Sequence, residues 1–276
     1  MKLPRLYKGI VINLCEITEF IVLKIYFLGT GTSQGIPIIG SKHPVCLSND
    51  PKDKRLRVSV WVTWDNYSYV IDCGPDFRQQ MLTSGCTELD GILFTHEHSD
   101  HTAGLDDVRP FCHRQGKLPV YLHQRVLDSL QRRFDYIFET EDRYPGAPEV
   151  APFIIKENQN FTIGNTEVIP INVLHGKLSI FGFRIKDFVY ITDAKVIEKQ
   201  EEEKLKGVKV LVINALREES HDLHFSLDEA LEFIGRVKPE RAYLVHISPM
   251  LGFHEEVQKK LPKNVFLAYD NLIVEI

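Results

Sequence analysis

The chain has 276 residues, 43% of them hydrophobic, enough for a substantial core in one large domain or two small ones. Its formal net charge of -5 excludes the basic footprint of a protein that grips long nucleic acid, although local cations in a cleft can still draw a small phosphate ester. Five scattered cysteines without a Cys-x-x-Cys pair point to a reducing compartment, and the early apolar runs, interrupted by Glu16 and Glu19, suit neither a signal-peptide core nor a membrane span, so a cytoplasmic protein is expected.

The first clear strand is expected over residues 24–28, followed by a small, polar turn over 29–35. Residues 1–23 read as an appended extension, with Leu23 a candidate start, and 24–276 as one domain. Two β-rich runs, 58–64 and 67–72, are joined by Asp65-Asn66, whose chemistry suits a tight hairpin. Next come a helix from about Phe77 to Gly85, an apolar strand over 91–95, a helical stretch near 106–114, a strand over 119–122 and a helix over 125–138. Residues 139–152, rich in charge, Pro and Gly, read as a surface loop that could edge the active site. Strands are expected over 161–163, 167–173, 180–185, 188–192 and 208–213. Ser226 and Glu229 have capping-box spacing and start a helix; strands over 242–247 and 265–269 close the chain. Hairpins first, helices inserted, then the same mixture again predict an α/β, four-layer αββα sandwich with the loops of both halves meeting at one edge. No sequence repeat marks two independent domains.

The densest chemistry is Thr95-His96-Glu97-His98-Ser99-Asp100-His101, directly after an apolar strand. Three imidazoles and a carboxylate at a strand end are an odd use of buried space unless a cation neutralises and orders them. Alternation lets His96 and His98 point two nitrogens at one metal while the following turn carries Asp100 and His101 towards a second. Nitrogen and carboxylate ligands without thiolate favour zinc, with manganese or iron as alternatives.

His-x-His-x-Asp-His after a strand resembles the metallo-β-lactamase superfamily, and the likeness runs across nearly the whole chain from Lys24. Asp72-Cys73-Gly74-Pro75-Asp76-Phe77-Arg78 resembles its second motif, and His175, Asp193 and His246 resemble its later ligands. Within the superfamily, Gly104-Leu105-Asp106-Asp107-Val108-Arg109-Pro110-Phe111, His224-Phe225-Ser226-Leu227 and Gly29-Thr30-Gly31-Thr32-Ser33 resemble the phosphoribosyl cyclic phosphodiesterase branch, PhnP.

The resemblance implies that His96, His98 and His175 hold one metal, that Asp100, His101 and His246 hold the other, and that Asp193 bridges them. Two ions roughly 3.5–4 Å apart would share a hydroxide for in-line attack on phosphorus. It also implies His224 as general acid and Asp72 as the group that fixes a ligand imidazole in its tautomer. Asp107, Arg109 and His221 would orient substrate or support ligands, while His43, His113, His123 and His254 read as structural. The implied substrate is a small cyclic or diester phosphate, of cyclic ribose phosphate or nucleotide type.

The branch lies close to the tRNA 3′-processing endonucleases, but this chain lacks a Gly/Pro-rich, Lys-rich arm for clamping tRNA, so a tRNA nuclease is the alternative. Iron oxidoreductases of the same fold are a weaker one, because their electron-transfer members usually place Glu where His98 stands. No stable complex with long nucleic acid and no membrane association are expected; a homodimer is allowed. Branch members often hold a structural zinc through three cysteines after the first strand and a distant histidine. Here Ser41 and His43 stand in two cysteine places and Pro249 in the histidine's, which leaves Cys46 alone, so two metals and not three are expected.

Overall fold

The computed structural model describes residues 23–141 and 143–276, so the expected extension lies outside the described residues except for Leu23. The strands are β1 (Lys24–Gly29), β2 (Ser59–Trp64), β3 (Tyr67–Ile71), β4 (Gly91–Leu93), β5 (Leu118–Leu122), β6 (Val150–Ile154) and β7 (Phe161–Ile163), then β8 (Thr166–His175), β9 (Leu178–Ile185), β10 (Phe188–Tyr190), β11 (Val210–Asn214), β12 (Arg241–Val245), β13 (Val265–Leu267) and β14 (Ile273–Glu275). They form two seven-stranded sheets, ordered β14-β1-β2-β3-β4-β5-β6 and β13-β12-β11-β10-β9-β8-β7.

Both sheets follow one plan. In the first, β14 to β3 pair antiparallel and β3 to β6 parallel; in the second, β7 to β10 pair antiparallel and β10 to β13 parallel. The hairpin between β2 and β3 turns at Asp65 and Asn66, whose φ values of 45° and 71° match a primed turn, which twists with its strands. The parallel half of each sheet needs crossovers, and these carry the helices.

Alternation decides what each face buries. Val60, Val62 and Trp64 of β2 point between the sheets, with Phe27 and Ile71 beside them, and meet Phe183, Tyr190, Val212 and Val245 from the second sheet. The outer face of the first sheet packs on Phe77, Met81 and Leu127 from the helices Phe77–Ser84 and Gln124–Arg133. That of the second packs on Ala230, Phe233 and Ile234 from the helix Leu227–Val237. Strand β11, covered on both sides, is buried along its whole length. The result is the αββα sandwich that the order of elements predicts. Among the described residues no helix is long and apolar enough to cross a membrane.

Three expectations change. The helix expected over 125–138 is two pieces, Gln124–Arg133 and Asp135–Phe138, broken where Phe134 takes φ -132° and ψ 46°. The loop expected over 139–152 ends early, because Val150 opens β6, which pairs parallel with β5 from Leu118↔Val150 to Leu122↔Ile154. Pro152 is tolerated there because an edge strand leaves one row of its backbone without ladder partners. Finally β14, three residues long, closes the first sheet against β1.

Candidate metal centre

The polar side chains gather where strands of both sheets end. The chain leaving β4 runs on through Phe94 and Thr95 to His96, and a short helix, Ser99–Thr102, then carries Asp100 and His101. His175 is the last residue of β8, opposite Leu178 across the hairpin. Asp193 follows β10, and His246 follows β12. A backbone bond from Phe181 N to Thr95 O, 3.0 Å, ties the second sheet to the loop of the first.

Three of these strand ends adopt a left-handed backbone without glycine: Asp72 at φ 67°, Asp193 at 56° and His246 at 56°. Such residues cost on the order of 1–3 kcal/mol each and persist where the surroundings over-determine them. Asn214, at the end of β11, pins one of them: its Oδ1 accepts from Ala194 N at 2.7 Å and its Nδ2 donates to Ala194 O at 3.0 Å. Sequence reasoning missed Asn214; its one signal was a polar residue ending the apolar run 210–213.

Two groups of donor atoms result, each with its members within 4.8 Å of one another: His96, His98, His175 and Asp193; and Asp100, His101, Asp193 and His246. Asp193 belongs to both. One carboxylate oxygen lies 3.9 Å from His96 Nε2, and the other lies 3.5 Å from His101 Nε2 and 3.2 Å from His246 Nε2. Asp100 Oδ2 lies 3.2 Å from His101 Nε2.

Hydrogen bonds outside the groups fix which nitrogen faces in. Asp72 accepts from Thr95 N at 2.8 Å and from the Thr95 hydroxyl at 2.9 Å, and its Oδ2 stands 2.7 Å from His101 Nδ1. That bond places a proton on Nδ1, so Nε2 turns its lone pair to the centre. His175 does the same by donating from Nδ1 to Leu223 O at 2.9 Å. The loop itself is braced by Arg125, which donates to Glu97 Oε1 at 2.7 Å and to Ser179 O at 2.6 Å, and by Arg133, which donates to the Thr102 hydroxyl at 2.7 Å.

The electrostatics call for cations. Burial would lower His101, yet Asp193, Asp100 and Asp72 together push it well above its usual value. Burial would raise Asp193, yet His246 and His101 hold it well below the carboxylate range. His96 is driven well below its usual value, first by burial and then by His101. Meanwhile His101 Nε2 and both nitrogens of His246 are buried without a hydrogen-bond partner. An unsatisfied buried polar atom costs roughly 1–3 kcal/mol, and a divalent ion in the second group would remove that cost at the Nε2 atoms of His101 and His246. This cluster suits divalent metal binding.

The other candidates lie around this centre. His224 is buried, with its ring centroid 4.7 Å from His175 and 4.8 Å from His246, and its Nδ1 has no partner. His221 is 5.2 Å from His224, on the outer side. Asp107 and Arg109 join neither group: Arg109 donates to Asp106 at 2.6 Å and lies over the Tyr144 ring. His43 Nδ1 accepts from Val45 N at 3.3 Å, and Cys46 is buried in the core beside Val45 and Ile36.

The second motif and the metal loop touch through glycine. A Cβ at Gly74 would lie 2.0 Å from Asp100 O. Gly74→Ala is therefore expected to displace Asp100 and lower metal content while far-UV circular dichroism stays native. Full metal occupancy in that variant would show that the loop adapts.

The model of the beta-lactamase superfamily domain matches residues 67–247, a span that contains all seven clustered side chains. The crystal structure of a diphosphatase from the PhnP family superposes with a TM-score of 0.87 at 35% identity, covering 93% of this chain and 98% of that one. An octanoyltransferase of Porphyromonas gingivalis is 39% identical over 253 residues, 91% of this chain and 51% of that protein. A ribonuclease Z of Nostoc sp. is 28% identical over 171 residues, 60% of this chain and 47% of that protein. The chain thus spans about half the length of these two relatives. With its fold, its donor groups and these matches in agreement, the chain belongs to the metallo-β-lactamase superfamily and resembles its PhnP family.

Proposed function

We propose that the chain hydrolyses a small cyclic or diester phosphate, of cyclic ribose phosphate or nucleotide type, with two divalent ions, zinc foremost and manganese second. The observation that carries this reading is the single carboxylate, Asp193, reached from both donor groups. His96, His98 and His175 would hold one ion and Asp100, His101 and His246 the other. Such a pair lowers the pKa of water and stabilises charge developing on phosphoryl oxygens. Around it, Asp72 keeps His101 in the tautomer that faces inward, and Leu223 O does the same for His175.

We assign His224 the role of general acid, because its ring lies 4.7 Å from that of His175 and 4.8 Å from that of His246. The His224 imidazole is pulled down to about 3, by burial first and His246 second, so it is neutral at neutral pH. In the complex its N–H would face the departing oxygen and give it a proton.

The relatives' names supply competing readings. Ribonuclease Z favours tRNA, but the acidic balance of this chain does not. Octanoyl transfer finds no exposed thiol among the described residues: Cys46, Cys73, Cys86 and Cys112 are all buried, and burial pushes Cys73, beside Asp72, well above its ordinary value. A panel of cyclic ribose phosphate, cyclic nucleotides and precursor tRNA, given to zinc- and manganese-loaded protein, tests the reading. Turnover of the small diesters ahead of tRNA is expected, and the reverse order would replace it with a nuclease.

Elemental analysis should find two tightly held metals per chain, unchanged in Cys46→Ser. Near Cys46, only His43 among the expected positions offers a donor, and two ligands leave a divalent ion largely hydrated. A third equivalent that disappears in the variant would overturn this.

A further inference from the structure

Beside the metal centre lies an open cleft of about 330 Å³, walled by the turn after β1 and by the loops around Arg217 and Pro249. His221 is part of its wall and also sits 5.2 Å from His224, so the cleft adjoins, through His221, the imidazole to which we assign the leaving oxygen. Ser41, His43 and Pro249 also line it.

We propose that this cleft receives the leaving half of the substrate and that this half is a nucleoside, which makes the substrate a nucleotide diester rather than a bare sugar phosphate. The assignment rests on the phosphodiesterase reading and narrows it. None of the twelve lining residues is acidic, which disfavours a cationic group. Its one guanidinium, Arg217, is already turned to its own loop, donating to Ser220 O at 2.7 Å and Glu219 O at 3.3 Å, so the cleft is no phosphate clamp.

What remains is a mixture that suits a base and a ribose. Met250, 54% exposed, and Ile38 offer apolar, polarisable contact to a ring face. Gln34 and Ser41 offer an amide and a hydroxyl to ring edges and sugar hydroxyls. A volume near the lower end of ligand pockets, ~300–1,000 Å³, takes one nucleoside and not an oligonucleotide.

Calorimetric titration of zinc-loaded protein with a nucleoside 5′-monophosphate and with ribose 5-phosphate reads this without turnover. The nucleotide is expected to bind tighter by on the order of 10-fold, the scale of a lost pocket contact. Met250→Ala should narrow the gap, and Ser41→Trp, which fills the cleft from an exposed loop, should close it. The ratio of KM values for base-bearing and base-free cyclic phosphates should move in parallel. Equal binding of the two probes by the native protein, or a gap that survives both variants, would overturn the cleft assignment while diester turnover left the phosphodiesterase reading standing. Absence of turnover on every diester would overturn that reading and this assignment with it.

Discussion

Asp193→Ala is expected to abolish detectable turnover and to reduce bound metal from two equivalents to one or fewer. The carboxylate is the one side chain shared by both donor groups, so its loss removes a ligand from each ion and the element that sets their separation. Alanine carries a second effect. Asp193 sits at φ 56°, a backbone region that Asp and Asn tolerate better than Ala, so the variant also gains strain. Asp193→Asn separates the two, because it keeps size and backbone preference and removes the charge. If both variants lose metal and activity while only the alanine form loses stability in urea, the carboxylate acts through the metals. Retention of both ions and near-native turnover in the asparagine form would show that Asp193 does not bridge them.

The strand ends were legible in the sequence because the physics there is local. An apolar run halted by His, Asp or Asn marks a strand that delivers a polar group to a sheet edge, and residues 92–96, 190–193 and 243–246 all read this way. The Asp65-Asn66 turn and the Ser226–Glu229 capping box were legible for the same reason: each is settled by a few neighbouring residues. What stayed hidden depends on partners distant in sequence. Strand β6 carries three exposed residues in a row, Pro152 among them, so no alternation announces it; β5 alone makes it a strand. Residues 273–275 are too few to show a period without β1 beside them. The common plan of the two sheets leaves no repeat in the sequence, because pairing order is set by the twist and packing of strands and not by shared residues. In the centre itself, the ligand types follow from one motif, whereas Asn214, Arg125 and Arg133, which hold its loops in place, are ordinary polar residues until the fold brings them together.

For His224→Ala, metal content should hold at two equivalents while kcat falls by roughly 10²–10⁴-fold, the range for removing a general acid. The ring lies tilted against His175 and stacked on His246, but Leu223 O and not His224 fixes the His175 tautomer, so the metals have no reason to leave. The size of the loss should follow the leaving group. An alkoxide needs a proton as it departs and feels the full effect; an activated aryl oxide leaves unprotonated and feels little. The pH profile adds a second readout. Because burial and His246 pull the free imidazole down to about 3, kcat/KM, which reports the free enzyme, should carry no His224 inflection near pH 6.5. The kcat profile reports the complex, so the limb that falls as the acid loses its proton belongs there and should vanish in the alanine variant. Equal damage on aryl and alkyl diesters, with the kcat profile unchanged in shape, would assign His224 to substrate binding and leave the departing oxygen to be protonated by water.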